Sequence, residues 1–240
     1  MPRRRKAELV EAQDLSPSVR SLTFRTSDES PVGHLAGQYL DLVVPTPQGV
    51  PFRRPYSIAS PPLVETPSIF EIAVTRVESG PTSNALHRLE PGARVEIEAP
   101  KGTFVCRPDD RARPLLFVAA GTGLAPIRAI LAEQVRLVEG PPMVLLFGCR
   151  GPADRLWSND FCEWQRACPR LSAHVSLSRP PPDWNGHVGH VQRHVASLAR
   201  SLANPLVFIC GLSAMVDDVV SVLTREVAVP RDALRYETYD

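Results

Sequence analysis

The chain has 240 residues, 43% of them hydrophobic and 22% charged, with a formal net charge of +1. That length holds one large domain or two small ones and buries a substantial core. The near-neutral balance excludes a global electrostatic case for nucleic acid or a membrane surface as partner, and no apolar run approaches the ~20 residues of a membrane span.

The first six residues, MPRRRK, form a basic cluster without the apolar core of a secretory signal. They are expected to be a solvated, frayed terminus. From there to about residue 106 the pattern is one of strands and turns. Val19 to Arg25, Tyr39 to Val44, Phe70 to Thr75 and Arg94 to Glu98 alternate with period two, so each buries one face. Several short strands at regular spacing predict a barrel or sandwich. One short helix fits between Ser83 and Leu89, ended by Pro91-Gly92.

Arg107 to Pro114 is polar and proline-flanked, the best candidate for a linker. After it the pattern changes. Leu115 to Ala120, Met143 to Phe147 and Pro205 to Cys210 are continuous apolar runs, as expected of strands buried on both faces, and Ser172 to Leu177 is a weaker, alternating version. Helical patterns separate them at Pro126 to Leu137, Asn159 to Ala167, Val191 to Leu202 and Ser213 to Val227. Strands alternating with helices predict a parallel α/β sheet. The five cysteines are scattered and odd in number, which points to thiols in a reducing cytoplasm, and no tight group of four could hold an iron–sulfur centre.

Two stretches carry chemistry. Gly121-Thr122-Gly123 follows an apolar strand and opens a helix, with Pro126 in the first turn. Glycines there allow a sharp turn and close approach to a diphosphate, whose charge the helix N-terminus favours. A purely structural tight turn would read the same way. Arg54-Pro55-Tyr56-Ser57 places a guanidinium, a phenol and a hydroxyl on one short strand, with Arg54, Tyr56 and Ile58 on one face. That combination suits a ligand with both phosphate and a planar ring.

With these residues in place, the chain resembles the ferredoxin–NADP reductase superfamily over nearly its whole length. The family's Arg-x-Tyr-Ser motif is Arg54-Pro55-Tyr56-Ser57, and its Gly-x-x-Ser motif is Gly80-Pro81-Thr82-Ser83. Its Gly-x-Gly-x-x-Pro motif is Gly121 to Pro126, and its Cys-Gly-x-x-x-Met motif is Cys210 to Met215. The resemblance implies an N-terminal antiparallel β-barrel that binds flavin, residues 1–110. It also implies a Rossmann-like parallel α/β domain that binds NAD(P), residues 111–240.

The roles it implies are these. Arg54 and Pro55 border the flavin diphosphate, Tyr56 lies against the isoalloxazine, and Ser57 hydrogen-bonds near flavin N5. Val74, Gly80, Thr82 and Ser83 complete the flavin site, with Ser83 and its neighbouring backbone on the phosphate. Gly121, Thr122, Gly123 and Pro126 take the NAD(P) diphosphate. Cys210 sits beside the nicotinamide, with Gly211 and Met215 beyond it. Glu237-Thr238-Tyr239 resembles the family's terminal Glu-x-aromatic, with Asp240 as one extra residue. Tyr239 is then a displaceable cover for the flavin ring, and Glu237 a carboxylate in the same pocket. Ser57, Cys210, Glu237 and Tyr239 form the implied catalytic set.

The implied cofactor is FAD, with FMN confined to a minority branch. The donor is NADPH or NADH, and Arg150, Ser178 and Arg179 favour the 2′-phosphate of NADPH. Hydride passes from nicotinamide to flavin, and electrons then leave singly to a separate carrier such as ferredoxin or flavodoxin. Arg53, Arg76 and Arg88 are candidates for a positive rim that steers an acidic carrier. Alternatives are an NAD(P)H:flavin reductase and an electron-entry subunit of a larger complex. His187, His190 and His194 have spacings compatible with a metal, but they fall in a connector for which the resemblance implies none, and no resident metal is expected.

Overall fold

A computed structural model describes residues 4–44 and 51–239. Among these, the alternating first half forms a six-stranded antiparallel sheet in the order β4-β3-β6-β1-β2-β5. Its strands are β1 (Arg5–Ser16), β2 (Val19–Thr26), β3 (Tyr39–Val44), β4 (Phe52–Ser57), β5 (Ile69–Thr75) and β6 (Arg94–Ile97). The two edges meet. Ile58 bridges Ile72, and the Ala59 amide donates to the Glu71 carbonyl at 2.7 Å. The sheet is therefore the expected barrel, and the closure covers edges that would otherwise be unpaired. Leu9, Leu22, Phe24, Leu40, Phe70 and Ile97 fill its interior, with Phe24 stacked on Phe70 at 5.4 Å.

β1 runs through the segment expected to fray. Arg5 and Lys6 pair with Ile97 and Glu96, and the Arg5 guanidinium donates to the carbonyls of Ser30 and Pro31 at 2.8 and 2.9 Å. Met1–Arg3 lie outside the described residues, as does Asp240. Register shifts between Leu9 and Glu11 and between Asp14 and Ser16 break the alternation by which β1 would have been recognised. The short helix α1 (Pro81–Leu86) opens earlier than its pattern suggested, with proline in its first turn.

The second half forms a parallel six-stranded sheet in the order β10-β9-β8-β7-β11-β12. Its strands are β7 (Leu115–Ala120), β8 (Met143–Cys149), β9 (Leu171–Leu177), β10 (His187–Val188), β11 (Leu206–Gly211) and β12 (Leu234–Thr238). Helices α2 (Leu124–Gln134) and α3 (Ser158–Ala167) cover one face, while α4 (Gln192–Arg200) and α5 (Ser213–Arg225) cover the other. The chain winds outward from β7 through β8, β9 and β10, then returns to lay β11 and β12 on the opposite side. Strand order thus reverses between β7 and β11. In open α/β sheets the crevice beyond the carboxyl ends of the strands at that reversal is where ligands bind.

Arg107 to Pro114 is not a free linker. Pro108–Ala112 is a 3-10 turn, and its Asp110 accepts a two-pronged ion pair from Arg235 on β12, with Nη2 to Oδ1 at 2.6 Å. Arg111 donates to Gln134 on α2 at 3.1 Å. Proline and charge marked a turn correctly, but the partners that pin it lie more than twenty residues away in sequence. Phe104, on the segment entering this turn, packs edge-on against Phe208 at 5.4 Å, and Phe208 stacks on Phe117 at 5.3 Å. Phe208 is fully buried in β11. Phe208→Ala is expected to cost about 3–5 kcal/mol in denaturant unfolding. A loss below about 1 kcal/mol would mean the sheet does not rest on this aromatic cluster.

Candidate active site

On the barrel side the site begins at β4. β4 pairs with β3 in a register that sets Tyr56 opposite Leu40 and Ser57 opposite Tyr39. Arg54 and Pro55 are exposed, Tyr56 and Ser57 are half-buried, and Ile58 and Ala59 are buried. Burial rises along the strand on both faces, instead of alternating, because the chain dives into the closing seam with β5. The Tyr56 ring packs against the barrel core, and burial pushes its phenol up to about 12. The Arg54 guanidinium bonds the Arg53 carbonyl at 2.9 Å.

The loop from β5 into α1 is shaped by Ser83. Its hydroxyl accepts from the Val77 amide at 3.2 Å and donates to the Gly80 carbonyl at 3.1 Å. Ser83 is thereby occupied in holding the turn. Thr82 Oγ1, at the start of the same helix, is buried without a partner. A buried hydroxyl left unmatched beside free helix-start amides is suited to a phosphate. Val74 lies in the barrel core, and its carbonyl is bonded to His87 Nε2 at 2.9 Å.

On the sheet side, the two glycines have different reasons to be glycine. Gly121 has φ of +55°, a left-handed conformation. Gly123 has no room for a side chain: a Cβ there would lie 2.2 Å from the Cys210 carbonyl oxygen and 2.8 Å from the Tyr239 hydroxyl. The turn after β7 therefore sits directly on the ends of β11 and β12. Pro126 is buried in the first turn of α2. Met215 packs in the core between α5 and the sheet and covers Gly211, whose Cβ would meet its methyl at 2.3 Å.

The chain's last described residues join the two sides. β12 runs parallel to β11 and sets Glu237 beside Cys210 and Thr238 beside Gly211. Tyr239 continues that line through its amide, bonded to the Gly211 carbonyl at 3.2 Å. A Cβ on Gly102 would lie 3.1 Å from the Tyr39 ring and 3.5 Å from the Glu237 carboxylate. Tyr39 is the strand partner of Ser57. A continuous path thus runs from Ser57 through Tyr39, Gly102 and Glu237 to Cys210. A second contact crosses nearby, between the hydroxyls of Thr75 on β5 and Thr122 in the glycine turn, 3.2 Å apart. Tyr39, Thr75 and Gly102 were not singled out from sequence, because each matters only through a partner distant in the chain.

Burial governs the chemistry here. Cys210 is fully buried, and burial, then the neighbouring Glu237, pushes its thiol well above the ordinary range. It is a protonated, apolar wall and not a thiolate nucleophile at neutral pH. Burial raises the Glu237 carboxyl to about 7, so near neutrality it can both hold and release a proton. The Tyr239 hydroxyl is buried toward Thr122 but reaches no hydrogen-bond partner, and burial keeps it protonated.

At the far end of the crevice the Arg179 amide donates to the Arg150 carbonyl at 2.8 Å, and the Ser178 amide to the Cys149 carbonyl at 3.1 Å. Arg150, Ser178 and Arg179 are thereby brought together past the ends of β8 and β9. Both arginines are exposed, and neither has a carboxylate partner among the described residues.

Elsewhere the structure regroups residues picked out by spacing. Arg53 is held by Asp41 and Glu98 at 2.6 and 2.7 Å, so its charge is matched. Arg76 and Arg88, with Arg20, instead line a polar cavity of about 520 Å³. His187 has its ring 4.4 Å from that of His194 and 5.4 Å from that of His174, while His190 is exposed. Among the described residues no group of three His, Cys, Asp or Glu is placed to hold a metal ion, and no helix is long and apolar enough to cross a membrane.

Known proteins match this arrangement. Residues 6–106 match the oxidoreductase FAD-binding domain family, and residues 117–221 the oxidoreductase NAD-binding domain family. Ferredoxin–NADP reductase B of Sorangium cellulosum (strain So ce56) is 41% identical over 98% of this chain and 97% of its own. An NAD(P)H-flavin reductase of Vibrio harveyi is 31% identical over 76% of this chain and 77% of its own. The solved structure of an Amycolatopsis cytochrome P450 reductase superposes with a TM-score of 0.87 at 28% identity, over 98% of this chain and 69% of that one.

The raised Glu237 carboxyl makes stability depend on pH. The fold favours its protonated form, so its contribution is fully present below about 4.5 and is lost as pH rises through about 7. Relative to wild type, Glu237→Gln is therefore expected to gain about 2 kcal/mol between pH 4 and pH 8.5, allowing for partial solvent exposure. Thermal unfolding of the cofactor-stripped protein at the two pH values checks this. A variant-to-wild-type difference that does not change with pH would show that Glu237 titrates normally.

Proposed function

The chain belongs to the ferredoxin–NADP reductase superfamily of flavin oxidoreductases, and from that premise we propose that it carries electrons from NADPH through FAD to a separate small carrier protein. The proposal assigns residues 1–110 to FAD and residues 111–240 to the nucleotide. The observation that carries it is the continuous path from Ser57 on the barrel to Cys210 on the parallel sheet.

The residues present fit both cofactors. Arg54 and the first turn of α1, with Thr82 Oγ1 unmatched, suit the flavin diphosphate. Ser57 and the barrel end beside Tyr39 suit the ring. The left-handed Gly121 and the helix that follows suit the second diphosphate. Exposed Arg150 and Arg179, with Ser178 between β9 and the loop, suit a 2′-phosphate. When bound, FAD supplies a ring that accepts hydride and gives up electrons. The chain's own part is to hold two flat rings against each other, exclude water with the buried Cys210 and the half-buried Tyr239, and offer a proton-bearing carboxyl at Glu237. Exposed Arg76 and Arg88 beside their polar cavity support an acidic carrier as the acceptor, whereas Arg20 there is matched by Asp14 and Glu90.

A second reading, a reductase that uses flavin as a diffusible substrate, is favoured by the Vibrio harveyi relative. The two separate on one preparation. The proposal expects yellow protein whose colour survives gel filtration and is bleached by NADPH more efficiently than by NADH. Colour lost on the column with activity restored by added flavin would favour the second reading. A protein that takes up no flavin and oxidises neither nucleotide would overturn both.

A further inference from the structure

Arg128 lies outside every motif, and its guanidinium has four anchoring bonds. Nη1 donates to Glu71 Oε2 at 2.7 Å and to the Ala59 carbonyl at 3.0 Å. Nε and Nη2 both reach Asp160 Oδ2, at 2.8 and 2.6 Å. The guanidinium also lies over the Trp157 ring, 4.8 Å from its centroid. Trp157 in turn donates from Nε1 to Glu71 Oε1 at 2.9 Å. The side chains of Arg128 and Glu71 are only 15% and 16% exposed.

The guanidinium and its partners come from three different places. Ala59 and Glu71 are the two residues whose backbone bond closes the barrel. Asp160 sits in the first turn of α3, in the layer over the parallel sheet. Arg128 itself is in the second turn of α2, the helix that starts on Gly123. Apolar contacts across the same boundary, with Ala59 and Ala73 in one cluster with Leu124, Trp157 and Phe161, hold the layers together without direction. A planar guanidinium with fixed donor directions adds the direction.

We infer that Arg128 is a positioning residue for hydride transfer: it fastens the barrel's closing seam to α2 and α3 and so sets the separation and angle between Ser57 and the glycine turn. Two short rigid connections make this geometric. Ala59 is two residues beyond Ser57, and Arg128 is five residues beyond Gly123 along a helix. The reacting rings would sit between those ends, where an error of about 1 Å costs on the order of a hundredfold in rate. The inference rests on the reading that hydride crosses between the two halves.

The test uses Arg128→Gln and, as a milder change that only weakens the α3 anchor by removing its charge, Asp160→Asn. The flavin-loaded Arg128→Gln protein is expected to keep its FAD content and its KM for NADPH within about twofold. It is expected to reduce its flavin at least about tenfold more slowly and to show a weaker long-wavelength absorbance from the stacked ring pair. Hydrogen exchange of the flavin-free protein is expected to quicken at the Ile58 and Ala59 amides. If Arg128→Gln does not fold, Asp160→Asn is read by the same measurements, with smaller effects of the same sign. A folded variant with wild-type reduction rate overturns the inference, whether its exchange is quickened or not. Slower reduction without quickened exchange also overturns it, because the seam would then be intact. Wild-type protein that binds no FAD sinks the functional reading, while the exchange measurement still decides whether Arg128 fastens the seam.

Discussion

The architecture depends on one boundary, where the barrel closes and the parallel sheet begins. Ala59 and Glu71 share a backbone bond in the seam that closes the barrel, and Arg128 reaches both residues from the other layer. A guanidinium held between two carboxylates, with an indole N–H on one of them, is a costly group to desolvate. Its burial is tolerated because nearly every donor meets an acceptor, and removing Arg128 leaves two part-buried carboxylates without their cation. The boundary is thus narrow in the geometries it allows. Everything that must meet across it, Thr75 with Thr122 and Gly102 with Glu237, inherits that narrowness.

The second constraint is crowding at the reversal between β7 and β11. Gly123 is a glycine because the Cys210 carbonyl and the Tyr239 hydroxyl occupy its side-chain space. The same crowding buries Cys210, half-buries Glu237 and Tyr239 beside it, and pushes all three toward their neutral forms. A flat, uncharged floor suits a heterocycle better than a charged one, since no ion has to be stripped of water when the ring arrives. Glu237 is the exception that can still change charge near neutrality.

Much of this was legible in the chain. Period two and continuous apolar runs separated the barrel strands from the buried parallel strands, because each pattern reports directly which faces are covered. Four short motifs in order gave the family. What was hidden had one physical cause, dependence on a distant partner. β1 was masked by its register shifts, and Arg107 to Pro114 read as a linker because Asp110 is fixed by Arg235 from the far end of the chain. Arg128, Glu71 and Trp157 look like ordinary helix, strand and turn residues until the fold brings them together. Histidine spacing pointed to His190, whereas pairing of β9 with β10 brings His174 toward His187.

The central claim is that two heterocycles are made to meet face to face beside Ser57 and Cys210. A crystal structure with FAD and a nicotinamide dinucleotide bound measures this directly. The account predicts nicotinamide C4 and flavin N5 within about 3–3.5 Å of each other, between those two residues. Both molecules bound, but with their rings in separate hollows and the Thr75–Thr122 contact intact, would contradict it.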